Sequence, residues 1–188
     1  YDILRHDFIT ACSSHHKPIF ISTGMATTDE LISLVPIARV GGSPEIVLLH
    51  CVSDYPTLPQ FANLGAINGL RYVYQFDPIY QGLPLHKVGY SDHTCSPAVI
   101  YRAVLGWGVS VLEFHLDLDD GAGSESKYGH CWTPNRIGPV LDTIVTAWES
   151  DGPEFRVLTS NEIEERKWRA DPSDGRRPLL SCPSNTSN

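Results

Sequence analysis

Four apolar runs punctuate this chain, each closed by small or polar residues and followed by a stretch with helical spacing. The first is Pro18-Ile19-Phe20-Ile21-Ser22, followed by Thr23-Gly24-Met25-Ala26. Thr27 or Thr28 can cap a helix reaching about Val40, with Asp29 and Glu30 favoured in its first turn and Pro36 expected to kink it. The second run, Glu45-Ile46-Val47-Leu48-Leu49-His50-Cys51, is almost wholly apolar, as in a parallel strand buried on both faces. A helix is predicted over 63–74, a third strand over 86–90, a helix over 97–105, a fourth strand over 110–115 and a helix over 134–148. Residues 1–13 read as one more helix. Strands alternating with helices predict an α/β protein with a parallel sheet and right-handed crossovers. The pattern weakens after Glu149, so the chain divides into 1–150 and a tail, 151–188, partly packed at Trp168 and then disordered at its Pro- and Ser-rich end.

Composition narrows the function classes. A chain of 188 residues with 41% hydrophobic and 19% charged residues can bury a core. The formal net charge of −8 argues against a nucleic-acid surface. No apolar run approaches the roughly 20 residues of a membrane span, and no signal-peptide pattern opens the chain. Five scattered cysteines without a CxxC pair fit neither a zinc ribbon nor a disulfide framework, and a reducing cytoplasm is the expected setting.

Candidate chemistry gathers at the strand ends. In parallel α/β folds the C-terminal ends of the strands face the site. Gly89-Tyr90-Ser91-Asp92-His93-Thr94 and Val111-Leu112-Glu113-Phe114-His115-Leu116-Asp117 each end in a histidine beside a carboxylate. His93 and His115 are either ligands of one divalent metal or ordinary polar residues satisfied by neighbours. Asp92 either orients His93 or caps the next helix. Ser22-Thr23-Gly24-Met25 is either an anion-binding turn or a tight turn that needs Gly24 for its backbone angle. Ser53 and Ser91 occupy equivalent ends of the next two strands, so three hydroxyls could converge on one phosphate. Tyr55 either covers a small ligand or packs its loop. His50 and Cys51 read as core residues, and Lys127, His130 and Trp132 lie in a long loop that could reach the pocket.

Taken in order, Lys17-Pro18-Ile19-Phe20-Ile21-Ser22-Thr23-Gly24-Met25-Ala26, Leu48-Leu49-His50-Cys51-Val52-Ser53-Asp54-Tyr55-Pro56-Thr57, Gly89-Tyr90-Ser91-Asp92-His93-Thr94 and Glu113-Phe114-His115 closely resemble the N-acetylneuraminate (sialic acid) synthase family, over roughly residues 1–148. The resemblance implies a (β/α)8 TIM-type barrel, of which these segments would be strands five to eight. It implies a cytoplasmic transferase that condenses phosphoenolpyruvate with an N-acetylmannosamine-type sugar, giving a nonulosonic acid and phosphate. It also implies a divalent metal, typically manganese, on His93 and His115. Ser22, Ser53 and Ser91 would contact phosphoenolpyruvate, and Tyr55 would line the sugar site.

Three departures qualify that inheritance. Nothing here matches the family's first four strands, which carry its catalytic glutamate and phosphoenolpyruvate-binding lysines. The expected chain is therefore half a barrel, inactive alone, that self-associates or joins a missing N-terminal half. Many members carry Pro-Gly-Pro-Asp after the last strand, whereas residues 121–132 run differently, with Glu125 as the candidate sugar contact. The tail is too short for the antifreeze-like domain that ends many members. Competing readings are a non-catalytic half-barrel acting through a partner chain and another metal-dependent barrel aldolase.

Overall fold

The computed structural model describes residues 2–74, 87–118, 121–170 and 175. The chain forms two compact units, Tyr1–Thr146 and Ala147–Asn188.

The first unit is built on a four-stranded parallel sheet of β1 (Ile19–Ser22), β2 (Ile46–His50), β3 (Val88–Asp92) and β4 (Val111–Phe114), in that spatial order. Helices α1 (His6–Ser13), α2 (Thr28–Val40), α3 (Ala66–Val73) and α4 (Pro97–Tyr101) intervene, and α5 (Pro134–Glu149) follows. This is the strand–helix alternation of a partial barrel. β2 and β3 are buried at every residue, as continuous apolar runs in central strands require, while β1 and β4 are the sheet edges and stay partly exposed.

Register sorts the side chains by face. Ile21, Leu48, Val88 and Tyr90 join the core packed under the helices. The opposite, inner face carries Ser22, Leu49, Gly89 and Val111 in one row, with Ser91 beside Glu113 in the next. Gly89 is dictated by packing: a Cβ there would overlap a methyl of Leu49 and stand 3.0 Å from the Val111 carbonyl. The row needs a residue without a side chain at that point.

Local signals account for most boundaries. Thr27 caps α2 in a reciprocal capping box with Glu30, and the helix continues through Pro36, which lies within it and does not end it. α4 passes into a looser turn over Arg102–Gly106, where the Trp107 N–H reaches back to the Arg102 carbonyl at 3.0 Å. Of the helices, α1, expected over 1–13, begins only at His6; of the strands, the third departs most from expectation. It runs two residues beyond Tyr90, to Asp92, because the Asp92 carboxylate is fully buried and hydrogen-bonded there. Its expected start at His86 lies outside the described residues. The fourth strand stops at Phe114, so His93 and His115 each stand one residue past a strand end.

In the second unit Thr159 caps α6 (Ser160–Glu165), again in a capping box, with Glu162. A single turn over Arg166–Trp168 follows, and Trp168 is half-buried. The expected disorder beyond residue 175 lies outside the described residues. Among the described residues no helix is long and apolar enough to cross a membrane.

Candidate active site at the strand ends

The C-terminal strand ends enclose a cavity of about 280 Å³ lined by Ser22, Ser53, Tyr55, Ser91, His93 and His115, together with Gly24, Cys51 and Glu113. All three candidate serines, both candidate histidines and the candidate tyrosine thus face one space. A larger cavity of about 450 Å³ opens between α2 and α3 and shares only Cys51 and Ser53 with it. It contains none of the strand-end histidines of β3 and β4, so the chemistry belongs to the smaller space.

The first turn is shaped by space, not by backbone angle. The left-handed residue is Met25, with φ 65°, not Gly24. A Cβ on Gly24 would overlap the Ser53 hydroxyl and stand 3.0 Å from the Cys51 sulfur. Gly24 therefore lets the β1 and β2 ends close together, and Thr23 stitches them through its hydroxyl and N–H to the Leu49 carbonyl, at 2.9 and 3.0 Å.

Asp92 neither orients His93 nor caps α4, whose N-cap is Ser96. It is an acceptor hub instead. Its carboxylate receives the Tyr90 hydroxyl at 3.1 Å, the Thr94 N–H at 3.1 Å and hydroxyl at 2.7 Å, the Cys95 N–H at 3.0 Å and the Trp132 indole N–H at 2.9 Å. A buried carboxylate needs such saturation, because an unpaired charge there would be expensive. The physical result is a fixed β3 end and a long loop pegged down at Trp132.

His93 is held by backbone. Its Nδ1 lies 2.7 Å from the Val52 carbonyl and donates to it, which leaves Nε2 as the lone-pair nitrogen, with the Ser91 hydroxyl 3.4 Å away. Burial keeps its pKa below the ordinary imidazole value. A neutral ring with one nitrogen anchored and a lone pair on the other is the form a metal ligand takes. The Tyr55 ring lies 4.1 Å from the His93 ring, centroid to centroid, and 5.7 Å from His115. The two histidine rings are 5.3 Å apart.

Glu113, Glu125 and His130 acquire roles here that their positions in the sequence only partly signalled. Glu113 lines the cavity because it lies two residues before His115, and alternate strand positions share a face. Glu125 approaches His115 Nδ1 at 3.2 Å and His130 Nε2 at 3.5 Å. The loop is folded back by Asp117, whose carboxylate takes the Gly123 N–H and the Ser126 hydroxyl, and by backbone pairing of Leu116 with Trp132. That fold-back sets the His130 ring 4.8 Å from His115 and 5.1 Å from Tyr55. Of the other loop candidates, Trp132 is buried as the peg, whereas Lys127 lies over the Tyr128 ring, 5.0 Å from its centroid.

The chain is 36% identical over 122 residues to the N,N'-diacetyllegionaminic acid synthase of Legionella pneumophila, covering 63% of this chain and 31% of that one. It is 32% identical over 172 residues to the pseudaminic acid synthase of Helicobacter pylori, covering 90% and 46%. Its fold superposes on the crystal structure of the N-acetylneuraminic acid (sialic acid) synthetase of Leptospira borgpetersenii serovar Hardjo-bovis with a TM-score of 0.68 at 26% identity, covering 87% of this chain and 53% of that one. The chain thus spans about a third to a half of the length of the curated relatives it matches. The NeuB family itself matches residues 1–154, most of the chain, so the chain belongs to the NeuB family.

Proposed function

We propose that this chain supplies strands five to eight of a (β/α)8 barrel that condenses phosphoenolpyruvate with an N-acetylmannosamine-type sugar, forming a nonulosonic acid and releasing phosphate. The observation that carries the reading is the convergence of Ser22, Ser53, Ser91, His93, His115 and Tyr55 on one cavity. Three hydroxyls can donate to the carboxylate and phosphate of phosphoenolpyruvate. Tyr55 gives the sugar an aromatic wall, and Glu125, largely exposed, lines the neighbouring cavity beyond His115.

His93 and His115 fit a divalent metal, manganese in this reading, because the His93 Nδ1 bond to Val52 leaves a lone pair on Nε2, with a weak contact to the Ser91 hydroxyl at 3.4 Å for the ion to displace. When bound, such an ion supplies Lewis-acid polarisation of the sugar aldehyde. The chain's own residues hold the two reactants in register, keep His93 neutral by burial and present hydroxyls to the anion.

The electrostatics favour a divided site. Among the described residues, those lining the cavity include Glu113 but no lysine or arginine. Phosphoenolpyruvate is highly anionic, so this reading takes its countercharge from the metal and from the other half of the barrel. The two edges of the sheet, β1 and β4, and Phe20, 54% exposed on the inner face, favour the same partition, with the first half of the barrel closing over them.

The test is phosphate release from phosphoenolpyruvate with manganese and N-acetylmannosamine, for this chain alone and mixed with the N-terminal half of a family member. Activity confined to the mixture, and lost in His93→Ala and His115→Ala, is the expected result. An assembled mixture that releases no phosphate with any N-acetylated amino sugar would favour a non-catalytic half-barrel.

A further inference from the structure

His115 stands between two cavities. One is the strand-end cavity just described. The other, about 270 Å³, lies on its far side and is lined by Asp117, Gly123, Glu125 and Cys131 among others. Four potential ligands, His115, Glu125, His130 and Cys131, converge beside this second space, with ligand atoms all within 4.8 Å of one another.

One of the four is already fixed in place. His130 is 4% exposed, its Nδ1 is buried with no hydrogen-bond partner, and its Nε2 stands 3.5 Å from the Glu125 carboxylate, so the ring turns that nitrogen to another member of the cluster. The strand-end reaction as proposed makes no use of this histidine.

We propose that the loop after β4 carries a metal site of its own, built from His115, Glu125, His130 and Cys131, that takes zinc or cobalt in preference to manganese. Two imidazoles, a thiolate and a carboxylate form a four-donor set for a tetrahedral, borderline-soft ion, whereas manganese favours oxygen donors. Tetrahedral zinc places nitrogen and sulfur ligands roughly 3.3–3.8 Å apart, so the present spacing must contract by about 1 Å. The largely exposed Glu125 and half-buried Cys131 side chains can move that far, while buried His130 is already fixed. The fold-back at Asp117 and the peg at Trp132 bring the four together. Glu125 then serves the ion and leaves the sugar to Tyr55. The proposal rests on the reading of His115 as a metal ligand and adds three ligands that the strand-end pair lacks.

Cobalt titration of the purified chain, followed by visible and near-ultraviolet absorption, tests it. One equivalent should bind with strong four-coordinate d–d bands and a thiolate-to-cobalt charge-transfer band. Cys131→Ser should abolish the charge-transfer band. His130→Asn, checked for folding by circular dichroism, should weaken binding by more than the roughly 10–100-fold typical of losing an orienting partner. His93→Ala should leave the charge-transfer band intact. Weak six-coordinate bands that ignore Cys131→Ser and disappear in His93→Ala would overturn the loop site while keeping the strand-end pair. A folded chain that binds no cobalt would overturn both.

Discussion

His93 and His115 occupy equivalent places, one residue past β3 and β4, and are held in opposite ways. His93 is 4% exposed and strapped to the Val52 carbonyl, and the residue before it is locked by five hydrogen bonds. The His115 side chain is 31% exposed, and its hydrogen bond is to Glu125, on a loop. The difference follows from position in the sheet. β3 is central and buried throughout, whereas β4 is an edge strand with water on one side. One candidate ligand is preorganised by the core, and the other awaits whatever completes the site.

Removing the anchor on the rigid side should have the largest effect. Asp92→Ala leaves buried donors from Tyr90, Cys95 and Trp132 without their acceptor, and should cost at least about 3 kcal/mol in urea unfolding. A loss under about 1 kcal/mol would mean that the β3 end is not locked as described. Gly24→Ala pushes a methyl into the Ser53 hydroxyl, which should cost about 1–3 kcal/mol and weaken phosphoenolpyruvate binding in the completed barrel. Unchanged stability and unchanged binding would separate Ser53 from the site.

The histidines themselves sharpen the contrast. His93→Ala should destabilise the chain by about 1–2 kcal/mol, because it removes a buried ring and its hydrogen bond to the Val52 carbonyl, which keeps the Asp54 N–H. His115→Ala should stay within about 0.5 kcal/mol, as exposed positions usually do. Equal losses would erase the distinction between the two ends.

The smallest effect concerns pH. Burial holds the His50 pKa below its ordinary value, so the unfolded chain takes up a proton first on acidification. Stability should fall as pH drops through the ordinary imidazole value of about 6.5 and level off once the folded state protonates as well. His50→Gln, which can keep a donor toward the Ala62 carbonyl, should flatten that decline in pH-dependent melting curves.

Both sides of the site were legible at the level of strand ends. Apolar runs located all four strands, and the choice of Thr27 or Thr28 as cap, with acids following, located the start of α2, which the structure resolves to Thr27. Ser22, Ser53 and Ser91 could be named as one group, and His93 with His115 as another, because strand ends in a parallel sheet share an edge. Glu113 was within reach of the same reasoning through its two-residue offset from His115. What failed to show was contact set by non-local folding. Nothing local announces that Asp92 receives an indole forty residues away, or that Asp117 bends its loop so that Glu125 and His130 return to His115. Gly24 was legible as necessary but for the wrong reason, since the crowding it relieves comes from another strand.

The clamp on that loop has a consequence for substitution. Its start is tied by Asp117 to the Gly123 N–H and the Ser126 hydroxyl, and its end is pegged by Trp132 into β3, so the loop's path depends on a few named residues and not on its whole sequence. Exchange of a residue outside those ties and outside the proposed ligands, such as Ser124, should leave the loop's attachment and the sheet beneath it intact.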